Sequence, residues 1–181
     1  MILIPIMETM DNILGEMPIM VDKIEGGFGQ LREDCADYVC RLESAASKYR
    51  MPIAGRLSVI RGKILCGAPE TEFSTRKEKK AAEKRFFLTQ LESAYNCVNE
   101  YFEGERKILG ECERLVCQIT SRLVFENAFS GDVSGSDLIR LASQNSELAP
   151  ILVHITGLIG APNTNILFEK TMSLAGVYGN S

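Results

Sequence analysis

Apolar residues recur along this chain at steps of three and four, and that spacing limits its fold more than any other feature. Ile13, Met17, Met20, Ile24, Phe28, Leu31, Cys35, Tyr38, Leu42, Ala45 and Tyr49 form one series. Such steps keep side chains on one face of an α-helix. A second series, Phe87, Leu91, Ala94, Val98, Phe102, Leu109, Cys112, Val116, Ile119 and Leu123, lies within a helical stretch from about Arg76 to Glu126 and skips one turn near Glu105. No segment shows a convincing strand pattern. The expected class is all-α: an elongated antiparallel helical hairpin or bundle of two long helices, with coiled-coil-like seams and short helices packed on it. Unbroken, the second helix would span roughly 76 Å at 1.5 Å per residue. A compact chain of this length has a radius of gyration of only about 16 Å, so the reading is an elongated molecule with a bend between Gly104 and Gly110.

The stretch Gly26-Gly27-Phe28-Gly29 raises the question of a phosphate-binding loop. That motif follows a strand, whereas "MPIMVDKIE" reads as helix, with Pro18 in its first turn. The apolar phase also persists across the glycines. They are therefore expected to form a kink or brief break between two collinear helical segments, at a cost of about 1 kcal/mol each.

Punctuation divides the rest. Pro52 and Gly55 precede a short connecting helix over 56–66, which Gly67 and Pro69 close. Ser74 or Thr75 can cap the second long helix, with Glu78 as reciprocal partner. Residues 1–128 are thus expected to form the hairpin. Residues 129–181 are expected to form a small helical segment, docked on the hairpin or used for oligomerisation. In it Ser136 would cap 137–144, Ser146 would cap a helix ending near Gly160, and "APNTN" would restart a last helix to about Leu174. Only Asp132, Asp137, Arg140, Glu147, Glu169 and Lys170 carry charge after residue 128.

At 181 residues, 45% hydrophobic and 24% charged, the chain suits one folded domain with or without an appendage. Its net charge of −4 argues against a generic nucleic-acid binder. "MILIPIMETM" has no basic residue before its apolar run and is interrupted by Pro5 and Glu8, so a signal peptide is not expected. No apolar run approaches the roughly 18–20 residues of a membrane span. The resulting expectation is a cytoplasmic protein without membrane contact, its six cysteines reduced.

The chemical motifs are weak. Gly62-Lys63 sits at the wrong spacing for a P-loop, with Ile64 where Ser or Thr is required. "DVSGSD" (132–137) lacks the Gly and Glu of a calcium loop and reads as a helix cap. Cys35-x4-Cys40 and Cys112-x4-Cys117 lie in similar contexts, which fits either a duplication or two alike helix surfaces; residues five apart point ~140° from each other, which is poor geometry for one metal ion. His154, the lone histidine, stands in an apolar run and reads as a core or interface residue. No catalytic, cofactor or metal-binding residue is expected, and the chain does not read as an enzyme.

Charge layout is more informative. Arg50, Arg56, Arg61 and Lys63 lie in a stretch with no acid, and Arg76, Lys77, Lys79, Lys80, Lys84 and Arg85 form a second basic block with two acids. In a hairpin of two long helices both blocks fall at the connecting end, a basic pole over residues 50–85. The functional expectation is a non-enzymatic interaction or scaffold protein that self-associates or binds a protein partner through apolar helix faces. The alternative is a nucleic-acid-associated accessory subunit that touches phosphates through the pole; Phe73, Phe86 and Phe87 are its candidate stacking aromatics.

Overall fold

The helical periodicity is realised throughout. The computed structural model describes residues 3–27, 29–69, 75–126, 128 and 133–178, with backbone alone for 174–178. Among them there is no strand, and the elements are α1 (Leu3–Leu14), α2 (Met17–Gly26), α3 (Leu31–Lys48), α4 (Ile53–Cys66), α5 (Arg76–Phe125), α6 (Gly135–Gln144) and α7 (Ala149–Tyr178). The protein is an all-α, bundle-like molecule. Phe28, Phe73, Ser74 and Asp132 lie outside the described residues.

The glycines do more than bend a helix. Gly27 closes α2 in the left-handed conformation (φ 68°), its N–H donating to the Lys23 and Ile24 carbonyls, and Gly29 follows at φ 79°. Both conformations suit glycine, which has no Cβ to clash. The chain then reverses. Arg41 donates to both carboxylate oxygens of Glu16, and Lys23 lies 3.4 Å from Asp34. In one collinear helix Glu16 and Arg41 would stand about 37 Å apart. The expected collinear pair is therefore an antiparallel pair, and the first apolar series is carried by three helices, with Ile13 on α1 and most of the rest on α2 and α3.

A second reversal, with Arg50 at φ 54°, returns α4 along α3, where Arg61 Nε donates to Glu43 at 2.6 Å. Arg56 at the start of α4 meets Glu100 of α5 at 3.4 Å, while Ala68, just past the end of α4, lines one cleft with Lys84 and Phe87. These contacts make α2, α3, α4 and the first half of α5 an up-down-up-down bundle. The predicted stripe positions fill its core: Ile24, Cys35, Tyr38, Leu42, Leu91, Ala94, Val98 and Phe102 are all buried. The expected cap of α5 is present: Thr75 Oγ1 accepts from the Glu78 N–H, and Glu78 accepts from the Thr75 N–H.

α5 is one 50-residue helix that runs without interruption through Gly104 and Gly110. The chain divides within it, into residues 5–102 and a second unit of residues 1–4 with 103–181. The boundary thus falls between Phe102 and Glu103 rather than near residue 128, because the second half of α5 carries its own core. There Cys112, Val116, Ile119 and Leu123 pack with Leu138 and Ala142 of α6 and Ile155, Leu167 and Phe168 of α7.

Local chemistry sets the short helices. Ser134, two residues before the expected Ser136, caps α6 in a reciprocal box with Asp137. Asn145 Oδ1 accepts from the N–H groups of Glu147 and Leu148, taking the role expected of Ser146. α7 breaks where expected, at Gly160 (φ 77°), with Pro162 following. Asn163 holds that break from inside: its amide donates to the Ile159 carbonyl at 2.7 Å and its oxygen accepts the Ile4 N–H at 3.2 Å.

Candidate functional site

Most of the second helical series is buried, which makes its last turn conspicuous. Val124 and Phe125 follow Leu123 directly, so they leave the stripe by 100° and 200° of helix rotation. Phe125 is 82% exposed and Val124 55%. Large aromatics bury roughly 150–250 Å² when covered, so most of that area is left open at the end of α5.

The surface around Phe125 is shaped. On one side lies a recess of about 500 Å³ lined by Cys117, Thr120, Ser121, Val124 and Thr171. Thr120 is 8% exposed, and among the described residues its hydroxyl has no hydrogen-bond partner. On the other side a recess of about 540 Å³ runs past Gln118 to Leu148 and Ile151, with Arg122 and Glu147 at its margin. Arg122 donates to Glu126 and lies 3.4 Å from Glu147. An apolar knob thus stands between two hollows, with a positive and a negative group beside it.

α7 adds apolar exposure in the same unit. Val153 is 71% exposed, and His154, Gly157 and Leu158 are open along the same helix. His154 is therefore no core residue; its Nε2 lies 3.8 Å from a Glu111 carboxylate oxygen. Ala149–Ser173 is long and apolar enough to cross a membrane by length and composition alone, contrary to the expectation that no segment would be. Its backbone is broken at Gly160, and its Asn163 and Thr164 are buried. Its Ile155, Leu167 and Phe168 pack into the core of its unit.

The ten basic residues do not form one pole. Arg56 lies beside Glu100, and Lys80 stands about 30 Å from Glu100 along the α5 axis at 1.5 Å per residue. The reversal at Gly27–Gly29 is the cause: with four antiparallel helices instead of two, Arg50 belongs to the turn at one end, and Lys80 and Lys84 belong to the other. Arg61 is paired with Glu43, which raises its pKa through that hydrogen bond. Lys63, Arg76, Lys77, Lys79 and Arg85 are exposed. Only Lys80 and Lys84 converge, flanking Gly27.

The cysteines are free thiols, and the two Cys-x4-Cys pairs lie in different units. Each pair has one buried member, Cys35 or Cys112, and one more open member, Cys40 or Cys117, as their angular separation on a helix requires. Burial pushes the Cys35 thiol up to about 12, with the neighbouring Asp34 carboxylate adding to the shift.

The sequence reading missed Val124 and Phe125. The available signal was "LVFEN": two bulky apolar residues off the stripe, directly before a polar segment. No family model, curated protein or solved structure matches this chain.

Proposed function

We propose that this protein is a helical interaction module that self-associates through the Phe125 face of its second unit. The 82% exposure of Phe125 between two recesses carries this reading. A second copy is the occupant that suits the face best. A two-fold interface must be self-complementary. Here knob and hollows lie on one face, so Phe125 of each copy enters the other's recess. Arg122 and Glu147 supply both charges at the margin, so each is positioned to meet the opposite charge across the two-fold axis.

The spread of the basic residues draws the reading away from a phosphate-tracking pole. The experiment is light scattering across a concentration series. A dimer is expected that dissociates on dilution, with Phe125→Ala raising its dissociation constant at least about 30-fold, the scale of a central aromatic anchor. A wild-type monomer at about 100 µM excludes it, since even a weak specific dimer is populated there. An unchanged dimer in Phe125→Ala moves the contact elsewhere.

A further inference from the structure

The glycine reversal that reshapes the first unit also builds a cleft of about 400 Å³, and its lining has a use the self-association reading does not require. Gly27 and Gly29 bring bare backbone to its edge, and Phe87 and Leu31 give it an apolar wall. Three cationic side chains line it from two elements: Arg32 from α3, and Lys80 and Lys84 from α5. Lys80 Nζ and Lys84 Nζ lie 4.0 and 3.7 Å from the point where a Cβ on Gly27 would stand, so one anion can touch both ammonium groups. Any side chain at Gly27 would fill that space.

The cations are arranged by the fold. Lys84 Nζ donates to the Glu25 carbonyl, which anchors the end of α2 to α5. The Arg32 guanidinium packs on Gly67, its Nη2 2.7 Å from the position of a Cβ there, so the glycine leaves it room. Among the described residues neither Arg32 nor Lys80 has a carboxylate partner. Two acids, Glu33 and Glu83, also line the cleft, so the lining holds one more positive than negative charge. That favours a small, compact anion seated at the lysines over a long polyanion, which would meet the acids as well. The size and the apolar wall add an organic body.

We infer that this cleft binds a small phosphate monoester with an aromatic or apolar body. The phosphate would sit between Lys80, Lys84 and Arg32, with its body on Phe87. Phosphate binding by converging cations follows ordinary charge-assisted hydrogen bonding.

The test is calorimetric titration of the full chain with phenyl phosphate at low salt, with inorganic phosphate and a single-stranded oligonucleotide as comparison probes. Phenyl phosphate is expected to bind more tightly than inorganic phosphate. Lys80→Glu should weaken it at least tenfold, and Lys77→Glu, outside the cleft, should leave it unchanged. Arg32→Gln is the second variant, since it leaves the Lys84 anchor intact, and it should weaken binding severalfold. Equal heats for Lys80→Glu and wild type, or no binding of phenyl phosphate at all, would overturn the proposal. Tight oligonucleotide binding that outcompetes phenyl phosphate would also overturn it, by assigning the cations to a nucleic-acid backbone. The dimer experiment is independent of each of these outcomes.

Discussion

Replacing Asn163 tests the organisation of the second unit at its most constrained point. Asn163 is 3% exposed and makes two bonds: it accepts the Ile4 N–H at 3.2 Å and donates to the Ile159 carbonyl at 2.7 Å. Leucine has nearly the same volume, so Asn163→Leu opens no cavity and removes only the polar partnership. The Ile4 N–H lies in the first turn of α1, where no intrahelical acceptor exists, and Ile4 is 1% exposed. A buried donor left without a partner costs about 1–3 kcal/mol, and the Ile159 carbonyl adds a smaller amount. The expected loss is about 3 kcal/mol, which at 2–4 °C per kcal/mol lowers Tm by roughly 6–12 °C. Hydrogen exchange supplies the local readout, because the Ile4 amide should lose its protection first.

Asn163→Asp sharpens the argument through pH. A protonated Asp reproduces both bonds, donating to Ile159 and accepting from Ile4. The carboxylate is buried against a carbonyl, so the folded-state pKa is raised above the unfolded value near 3.9. A raised pKa means the folded protein holds the proton more tightly than the unfolded chain. Stability is then retained at low pH and lost as pH rises, by up to about 1.4 kcal/mol per pH unit until the folded pKa is passed. The gap between wild type and Asn163→Asp should widen between pH 5 and pH 7. A pH-independent gap, or an Asn163→Leu protein with unaltered Tm and Ile4 protection, would refute the account of how the first residues are held.

Tyr38 makes the opposite prediction: its hydroxyl is buried with no partner among the described residues, and burial pushes its pKa up to about 12, so Tyr38→Phe should be neutral or stabilising by up to about 1 kcal/mol in urea denaturation. Thiol labelling at pH 8 should modify the exposed Cys66 quickly, while Cys35, buried and with its pKa pushed up to about 12, reacts only on unfolding; fast labelling of Cys35 in the native protein would contradict its place in the core.

The all-α class and most core positions were legible because burial on helices leaves a 3.6-residue rhythm that survives without tertiary information. Met20, Ile24, Tyr38, Leu42, Leu91 and Ile119 are buried at the positions the stripes named. The chain reversal was not legible from the same rhythm, and the reason is geometric. Both helices of an antiparallel pair turn their apolar faces to one core. A short turn between them can therefore preserve the three-and-four spacing, as it does from Ile24 through Leu31. Phase continuity across Gly27 and Gly29 excluded a long loop but could not separate a kink from a hairpin. The better signal was electrostatic: Glu16 with Arg41 and Lys23 with Asp34 share one index sum, the signature of an antiparallel pair.

That single ambiguity carried into the function. Two helices would have gathered Arg50, Arg56, Lys80 and Lys84 at one connecting end; four helices send the first two and the last two to different ends of the bundle. A net charge count along the sequence cannot distinguish these cases, because it depends on how many times the chain turns back. The arrangement that the four helices build is more specific than a pole. Lys80 and Lys84 meet at the glycine whose left-handed backbone made the turn, so the segment first considered as a phosphate loop lines a cationic cleft without the strand such a loop requires. Phe125 follows the same logic from the apolar side. It was invisible to stripe counting because it breaks the stripe, and its exposure at the end of a strongly patterned helix is the departure from local consistency on which the proposed self-association rests.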